Sequence, residues 1–337
     1  MNPKVSVIIP NYNHAKYLIE RLDSVFKQTF QDFEVILLDD CSQDTSWEIL
    51  QSYENNPKVK YCIRNEQNSG SPFKQWKKGL NLAKGELIWI AESDDSCEST
   101  FLERNLQLLA DNNNAGVAYC QSIDINQSGE VLSNRIQYTD KFKPNIWKSN
   151  FIKEGSFFID KYMSCYNVIP NASAVIFKKE LAIDDVFCDS LLKMKMCGDW
   201  FFWIKLLLKT QIVFLECPLN YFRIHPGVSR NHFDLVKKRQ RLVEESEIRS
   251  FLQKVGFYNK EYVNLLYYQW FKLFHIKSVF SYSFYKVKLQ ETTFFDFCFI
   301  FFQKKIHDKK DFFLKRNISS MKYILSKFLT LIKRNKR

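Results

Sequence analysis

The chain has 337 residues, 46% hydrophobic and 26% charged, which excludes a disordered polymer and leaves room for one large domain with an appendage, or for two domains. Its net charge of +12 is unevenly placed: residues 303–337 hold nine Lys and three Arg against two Asp, so the rest of the chain is close to neutral. Nucleic-acid binders spread basic residues over a folded face, so this distribution argues against nucleic acid and points to an anionic membrane surface as the partner of the tail.

Nine cysteines at unpaired spacings, with no CxxC, are expected to be reduced thiols in a cytosolic setting. The first apolar run stops at Pro10, too early for a signal peptide. The densest apolar patch, "FFDFCFIFF" at 294–302, would span only ~14 Å as a helix against a hydrocarbon core of ~30 Å.

In chain order, "KVSVIIP" (4–10) and "FEVILLD" (33–39) have the unbroken apolar character of strands buried on both faces. Between them Leu18, Leu22 and Val25 share one helix face. Thr45 and Glu48 form a capping-box pattern for the next helix. "KVKYCI" (58–63) predicts a third strand, "NSGSP" (68–72) a turn, then a helix to about Lys84, and "ELIWIA" (86–91) a fourth strand. This β-α alternation predicts an α/β fold with a mainly parallel sheet flanked by helices, and such sheets bind ligands at the carboxyl ends of their strands. Asp39, Asp40, Glu92, Asp94 and Asp95 all fall at those ends. From 116 to about 228 the elements are mixed, including a helix-like "DWFFWIKLLLK" (199–209), with no linker to divide them from the first half. Domain 1–229 is therefore expected to be followed by a helical, aromatic and basic region, 230–337. Near its end Leu314, Ile318, Met321, Leu325, Phe328 and Ile332 keep helical periodicity among lysines.

Three carboxylates within "ESDD" (92–95) repel one another unless water, a proton or a cation relieves them. An oxygen-rich cluster suits Mg²⁺ or Mn²⁺. Ser93, Asp94 or Ser96 capping a following helix is the plain alternative. "VSVIIPNYN" (5–13), "VILLDDCSQDT" (35–45) and "KGELIWIAESDD" (84–95) together resemble the family 2 glycosyltransferases, nucleotide-sugar-dependent enzymes of the GT-A fold. The resemblance covers about 4–110 well and 170–229 more loosely.

That resemblance implies nucleotide contacts from Pro10, Tyr12, Asp39 and Asp94, with Tyr12 stacking on the base, Asp39 hydrogen-bonding it and Asp94 near the ribose. It implies Asp95 as the direct ligand of Mn²⁺ or Mg²⁺, with His225 of "YFRIHPGVS" closing over the diphosphate or joining the metal. "CGDWFFWIKL" (197–206) resembles the family's "ED" segment with Gly198 in place of Glu, which implies Asp199 as catalytic base; alone, Asp199 could be a helix N-cap. Cys41 stands where Gly is common, which predicts a less sharp turn, and Lys74 or Lys78 is a candidate phosphate-side cation. The expected function is inverting transfer of a sugar, from a UDP-sugar donor to a hydroxyl of a glycan or lipid-linked glycan. The expected setting is bacterial surface polysaccharide assembly, in the cytoplasm at the inner face of the membrane. The rivals are a silent carbohydrate-binding or scaffold protein, and a sugar nucleotidyltransferase, for which "PNYNHAKY" lacks the Gly- and basic-rich loop.

Overall fold

Unbroken Val, Ile and Leu runs separated by amphipathic stretches fold here into parallel strands covered by helices. The computed structural model describes residues 2–225 and 234–308. It begins with β1 (Val5–Asn11), α1 (Ala15–Phe26), β2 (Phe33–Asp39), α2 (Ser46–Ser52), β3 (Val59–Arg64), α3 (Pro72–Leu82) and β4 (Leu87–Ile90). β1, β2 and β4 are buried along their whole length, as strands covered on both faces must be. α1 turns Leu18, Leu22 and Val25 inward. The capping box at α2 does not form. Thr45 stands at the N-cap position without a side-chain capping bond, and Asp44 acts instead. One Asp44 oxygen accepts from the Ser46 N–H and the other from the Ala15 N–H, both at 3.0 Å. A carboxylate with two acceptor atoms can tie α2 to α1, which a single hydroxyl cannot.

The chain continues through β5 (Ser96–Cys97), α4 (Phe101–Ala110), β6 (Ala115–Ile125), β7 (Val131–Asn134), β8 (Phe151–Glu154), α5 (Gly155–Phe158), β9 (Val175–Lys178), α6 (Asp189–Lys193), α7 (Gly198–Leu207) and β10 (Gln211–Arg223). The sheet order is β3-β2-β1-β4-β9-β6-β10-β5, with β7 on β6 and β8 on β10. β1 to β4 are mutually parallel, as are β6 and β10. β9 is antiparallel to both β4 and β6, so β6 and β10 point the same way as β1 to β4. The expected mixed, mainly parallel sheet flanked by helices is what forms.

The reversal of β9 has a direct consequence. With Trp89 opposite Ile176, the residues just before β9 lie against the carboxyl end of β4, where "ESDD" begins. β5 in turn pairs with the end of β10, Asn220 opposite Cys97, which carries Arg223 and His225 to the same place. "ESDD" therefore leads into a strand; the next helix, α4, has Thr100 at its N-cap position, so the helix-cap alternative falls.

α8 (Leu235–Lys254), α9 (Lys260–Phe271) and α10 (Phe294–Asp308) form the C-terminal region. Its aromatics build a core of their own, with Trp270, Phe271, Phe284, Phe297 and Phe301 buried together and the Trp270 indole donating to the Phe284 carbonyl at 2.7 Å. α8 serves two cores: Leu242 packs here, while Ile248 and Leu252 join Trp200 and Phe201 in the main core. Burial of each of those two side chains contributes about 1.5–3 kcal/mol. Among the described residues no helix is long and apolar enough to cross a membrane. The periodic basic stretch 314–333 lies outside the described residues.

Candidate active site

β1, β2 and β4 end at one edge, and the loops that follow them form one wall of a cleft of about 480 Å³. The segments 170–172 and 195–199 form the other. Pro10, Tyr12, Asp94, Asp95 and Asp199 all line this cleft, and His225 stands at its rim on Asp94. Asp39 does not line it, whereas Asp40 does.

The turn after β2 is sharp. Cys41 adopts φ +61°, the left-handed conformation, and Asn13 across from it adopts +56°. The expectation of a relaxed turn at Cys41 is thus corrected: the loop keeps the shape Gly would give, at about 1–2 kcal/mol of backbone strain. Hydrogen bonds hold it there. The Asn13 side chain accepts from the Gln43 N–H at 2.7 Å, and the Ser42 hydroxyl accepts from the Asn13 N–H at 2.9 Å. Asp39 is fully buried; it accepts from Asn11 Nδ2, from the Ser42 N–H and hydroxyl, and lies 3.5 Å from the Arg64 guanidinium. Those four contacts use its acceptor positions. Asp40 accepts from Asn65, the Ser69 N–H and hydroxyl, and Gln75, fixing the 65–75 loop. Tyr12 is left half exposed above.

The carboxylates of "ESDD" are strongly differentiated. Burial pushes the Glu92 carboxyl up to about 8, and the charges of Asp94 and Asp95 add to the rise against a hydrogen bond from the Trp76 indole. Burial and Asp94 likewise lift Asp95 to about 6, opposed by Arg21, the Ser173 hydroxyl and the Arg223 N–H. Both Asp95 oxygens are engaged, at 2.7 Å by Ser173 and 2.9 Å by Arg223. Burial also raises Asp94, but the hydrogen bond from His225 and the charges of His14 and His225 outweigh it, and its carboxyl ends below the usual range. One site thus holds a proton-hungry pair beside a firmly ionised Asp94.

His14, Asp94 and His225 each bring a ligand-capable atom within 4.8 Å of the others. His225 Nε2 meets Asp94 Oδ2 at 3.0 Å, and His14 Nδ1 meets the Ser93 hydroxyl at 2.8 Å. Burial first, and then the neighbouring His225, hold His14 below its ordinary pKa despite Asp94 and Asp44. A neutral imidazole is the form that binds metals. His14 is missed by sequence reasoning, because a lone His in "PNYNHAKY" has no spacing that signals a ligand.

Asp199 sits in the first turn of α7, one residue past the start, with Cys197 at the N-cap position. It is therefore not the cap. Its Oδ1 accepts from the Trp200 N–H and its Oδ2 from Asn167 Nδ2, both at 2.8 Å. Gly198 is explained by packing: a Cβ there would lie 2.3 Å from Phe73 Cε2, so Phe73 fills the space of the missing side chain. Lys74 and Lys78 are engaged by the Ser69 carbonyl and the Asn65 side chain. Among the described residues, the Lys or Arg that lines the cleft is Lys195.

Residues 6–172 match glycosyl transferase family 2. The chain is 28% identical to uncharacterized glycosyltransferase MJ1057 of Methanocaldococcus jannaschii, over 60% of this chain and 64% of that one. It is 26% identical to the putative teichuronic acid biosynthesis glycosyltransferase TuaG of Bacillus subtilis, over 74% and 91%. With the poly(ribitol-phosphate) beta-N-acetylglucosaminyltransferase TarS of Staphylococcus aureus it shares 43% identity, but over only 27% of this chain and 16% of TarS. The chain thus spans less than two thirds of MJ1057 and far less of full-length TarS. Residues 1–349 of TarS, solved in complex with UDP-GlcNAc, superpose with a TM-score of 0.58 at 20% identity, over 91% and 92% of the two chains. That likeness establishes the GT-A-like fold. The motifs, the sheet and the family match agree over residues 6–172, the segment that matches glycosyl transferase family 2.

Proposed function

We propose that the protein is an inverting glycosyltransferase. It moves a sugar from a nucleoside-diphosphate donor, a UDP-sugar, to a hydroxyl of a glycan or lipid-linked glycan in the assembly of a bacterial surface polysaccharide. One observation carries the reading: Asp199 faces the same cleft as the Asp94–His225 pair and His14. TarS, a poly(ribitol-phosphate) beta-N-acetylglucosaminyltransferase solved with UDP-GlcNAc, and TuaG, a putative teichuronic acid biosynthesis glycosyltransferase, support the donor and acceptor classes.

In this reading Tyr12 stacks on the base over Pro10, and Asp39, buried behind the cleft, holds the Asn11–Ser42 turn beneath the nucleotide. Asp94 lies beside the ribose and the diphosphate. The donor set of His14, Asp94 and His225 fits a divalent cation, and its two imidazoles favour Mn²⁺ over the oxygen-seeking Mg²⁺. Asp95 lines the same cleft, its two oxygens held by the Ser173 hydroxyl and the Arg223 N–H. When bound, the cation supplies positive charge against the departing diphosphate. Asp199, oriented by Asn167, takes the proton of the acceptor hydroxyl as that oxygen attacks the anomeric carbon from the face opposite the leaving group. The carbon–phosphate-oxygen bond breaks and the nucleoside diphosphate leaves with its electron pair. The protein works at the inner face of the membrane, held by the basic segment 303–337.

A panel of nucleotide sugars, with and without Mn²⁺ and scored for nucleoside diphosphate release, tests the reading on wild type, Asp94→Ala, Asp95→Ala and Asp199→Asn. Asp199→Asn is expected to lower kcat by about 10²–10⁴ while leaving nucleotide affinity intact. Asp94→Ala and Asp95→Ala are expected to weaken Mn²⁺ binding measured by calorimetry. Release from no donor, with Mn²⁺ binding unchanged in every variant, would favour the scaffold alternative.

A further inference from the structure

Asp199 follows a loop, 194–198, that is held from two sides. The Ser71 hydroxyl donates to its Met194 carbonyl at 2.9 Å, and its backbone N–H groups are taken up by the C-terminal region. Glu244, buried on α8, turns its carboxylate onto three successive backbone N–H groups: Lys195 to Oε1 at 2.9 Å, Met196 to Oε2 at 2.9 Å and Cys197 to Oε2 at 2.8 Å. Gln240 steadies Oε1 from one turn earlier on the same helix, at 3.1 Å. Cys197 is the N-cap position of α7, so the carboxylate also lies at the positive end of the helix that carries Asp199.

A second contact from α8 reaches the other side of Asp199. Arg249, also buried, donates to the carbonyls of Ser164 and Cys165, both at 3.0 Å, and is itself held by Glu245. That segment leads directly to Asn167, which orients Asp199. Charge-assisted hydrogen bonds from buried side chains to main-chain groups are the strong kind, and here they fix both segments that meet at the base.

We propose that Glu244 is a positioning residue for transfer: the C-terminal helix α8 sets the loop 195–197, and through it the place of Asp199, by a three-fold N–H grip on one carboxylate. The proposal rests on Asp199 being the base. It assigns the C-terminal region a part in catalysis besides attachment, and predicts that without α8 the base is left unplaced.

The test uses the full chain as Glu244→Gln and Glu244→Ala, with Leu242→Ala as control, because Leu242 is buried on the same helix but in the other core. Hydrogen–deuterium exchange of the 195–197 amides is expected to rise about tenfold in Glu244→Gln, which loses an acceptor, and further in the alanine variant. kcat is expected to fall about tenfold in Glu244→Gln, with donor KM and nucleoside diphosphate affinity in Mn²⁺ within about twofold of wild type. Leu242→Ala should lower Tm and leave kcat in place. Unchanged exchange at 195–197 in Glu244→Gln overturns the grip. Unchanged kcat, or a kcat loss in Leu242→Ala matching that of Glu244→Gln, overturns the positioning role. If the alanine variant does not fold, the glutamine variant decides alone. If exchange responds but wild type releases nucleoside diphosphate from no donor, the grip is purely structural and the assignment of Asp199 fails with it.

Discussion

Single residues carry unequal strain and charge in this site. Cys41 keeps a left-handed turn without being Gly. Cys41→Gly is therefore expected to stabilise the protein by about 1 kcal/mol, relief of strain exceeding the added freedom of the unfolded chain. Urea denaturation reads this directly, and a loss of stability would contradict the argument. Glu92 makes a pH prediction. Its carboxyl sits at about 8 in the folded protein, above its ordinary value, so the folded state holds the proton more tightly than the unfolded chain does. The resulting stabilisation is complete below the ordinary carboxylate range and is lost as pH rises toward 8. Metal-free protein in EDTA should lose stability from pH 5 to 8, at no more than about 1.4 kcal/mol per pH unit for one group. Glu92→Gln should flatten that slope, and an unchanged slope would place its origin elsewhere. The motifs around these residues were legible as motifs; their protonation was not, because it depends on Trp76 and Arg21, neither of which belongs to "ESDD".

At the scale of elements, strands and helices followed from pattern, while their ends and contacts did not. α7 is buried on nearly every side, so its sequence, "GDWFFWIKLL", carries no amphipathic stripe to read. The replacement of Glu by Gly198 is explained by α3, which puts the Phe73 ring where a side chain at 198 would stand. Gly198→Ala is expected to cost about 1–3 kcal/mol by overpacking. Combined with Phe73→Leu, most of that loss should disappear, a coupling of about 0.5–3 kcal/mol in a double-mutant cycle. Additive losses would show that the two positions do not compete for the same space. Thr45 teaches a similar lesson: its motif was complete, yet Asp44 acted because it could serve α1 and α2 together.

For the whole molecule, charge and the arrangement of cores matter most. Segment 303–337 carries most of the net positive charge, and each Lys or Arg near an anionic leaflet is worth about 1 kcal/mol. Sedimentation with anionic vesicles should be strong for the full chain at low salt. It should weaken sharply in about 1 M salt, where the screening length falls to about 3 Å, and be lost on removal of residues 309–337. Binding insensitive to salt would replace the electrostatic account with a partner-binding one. The exposed Phe295 and Phe299 on α10 would then be the residues to substitute next.

The sequence by itself determined the β-α order, the parallel core strands, the strand-end position of the carboxylates and the motifs that match glycosyl transferase family 2, because each is written in contiguous residues with a fixed period or spacing. Only the tertiary structure decided that His14 meets Asp94 and His225, that Ser173 and Arg223 hold Asp95, and that Glu244 reaches the loop before Asp199. Each joins residues from 47 to 211 positions apart. They depend on the reversed β9, on the pairing of β5 with β10 and on α8 lying across two cores. Such contacts leave no period in the chain, since they arise from how elements close on one another rather than from any element's own pattern.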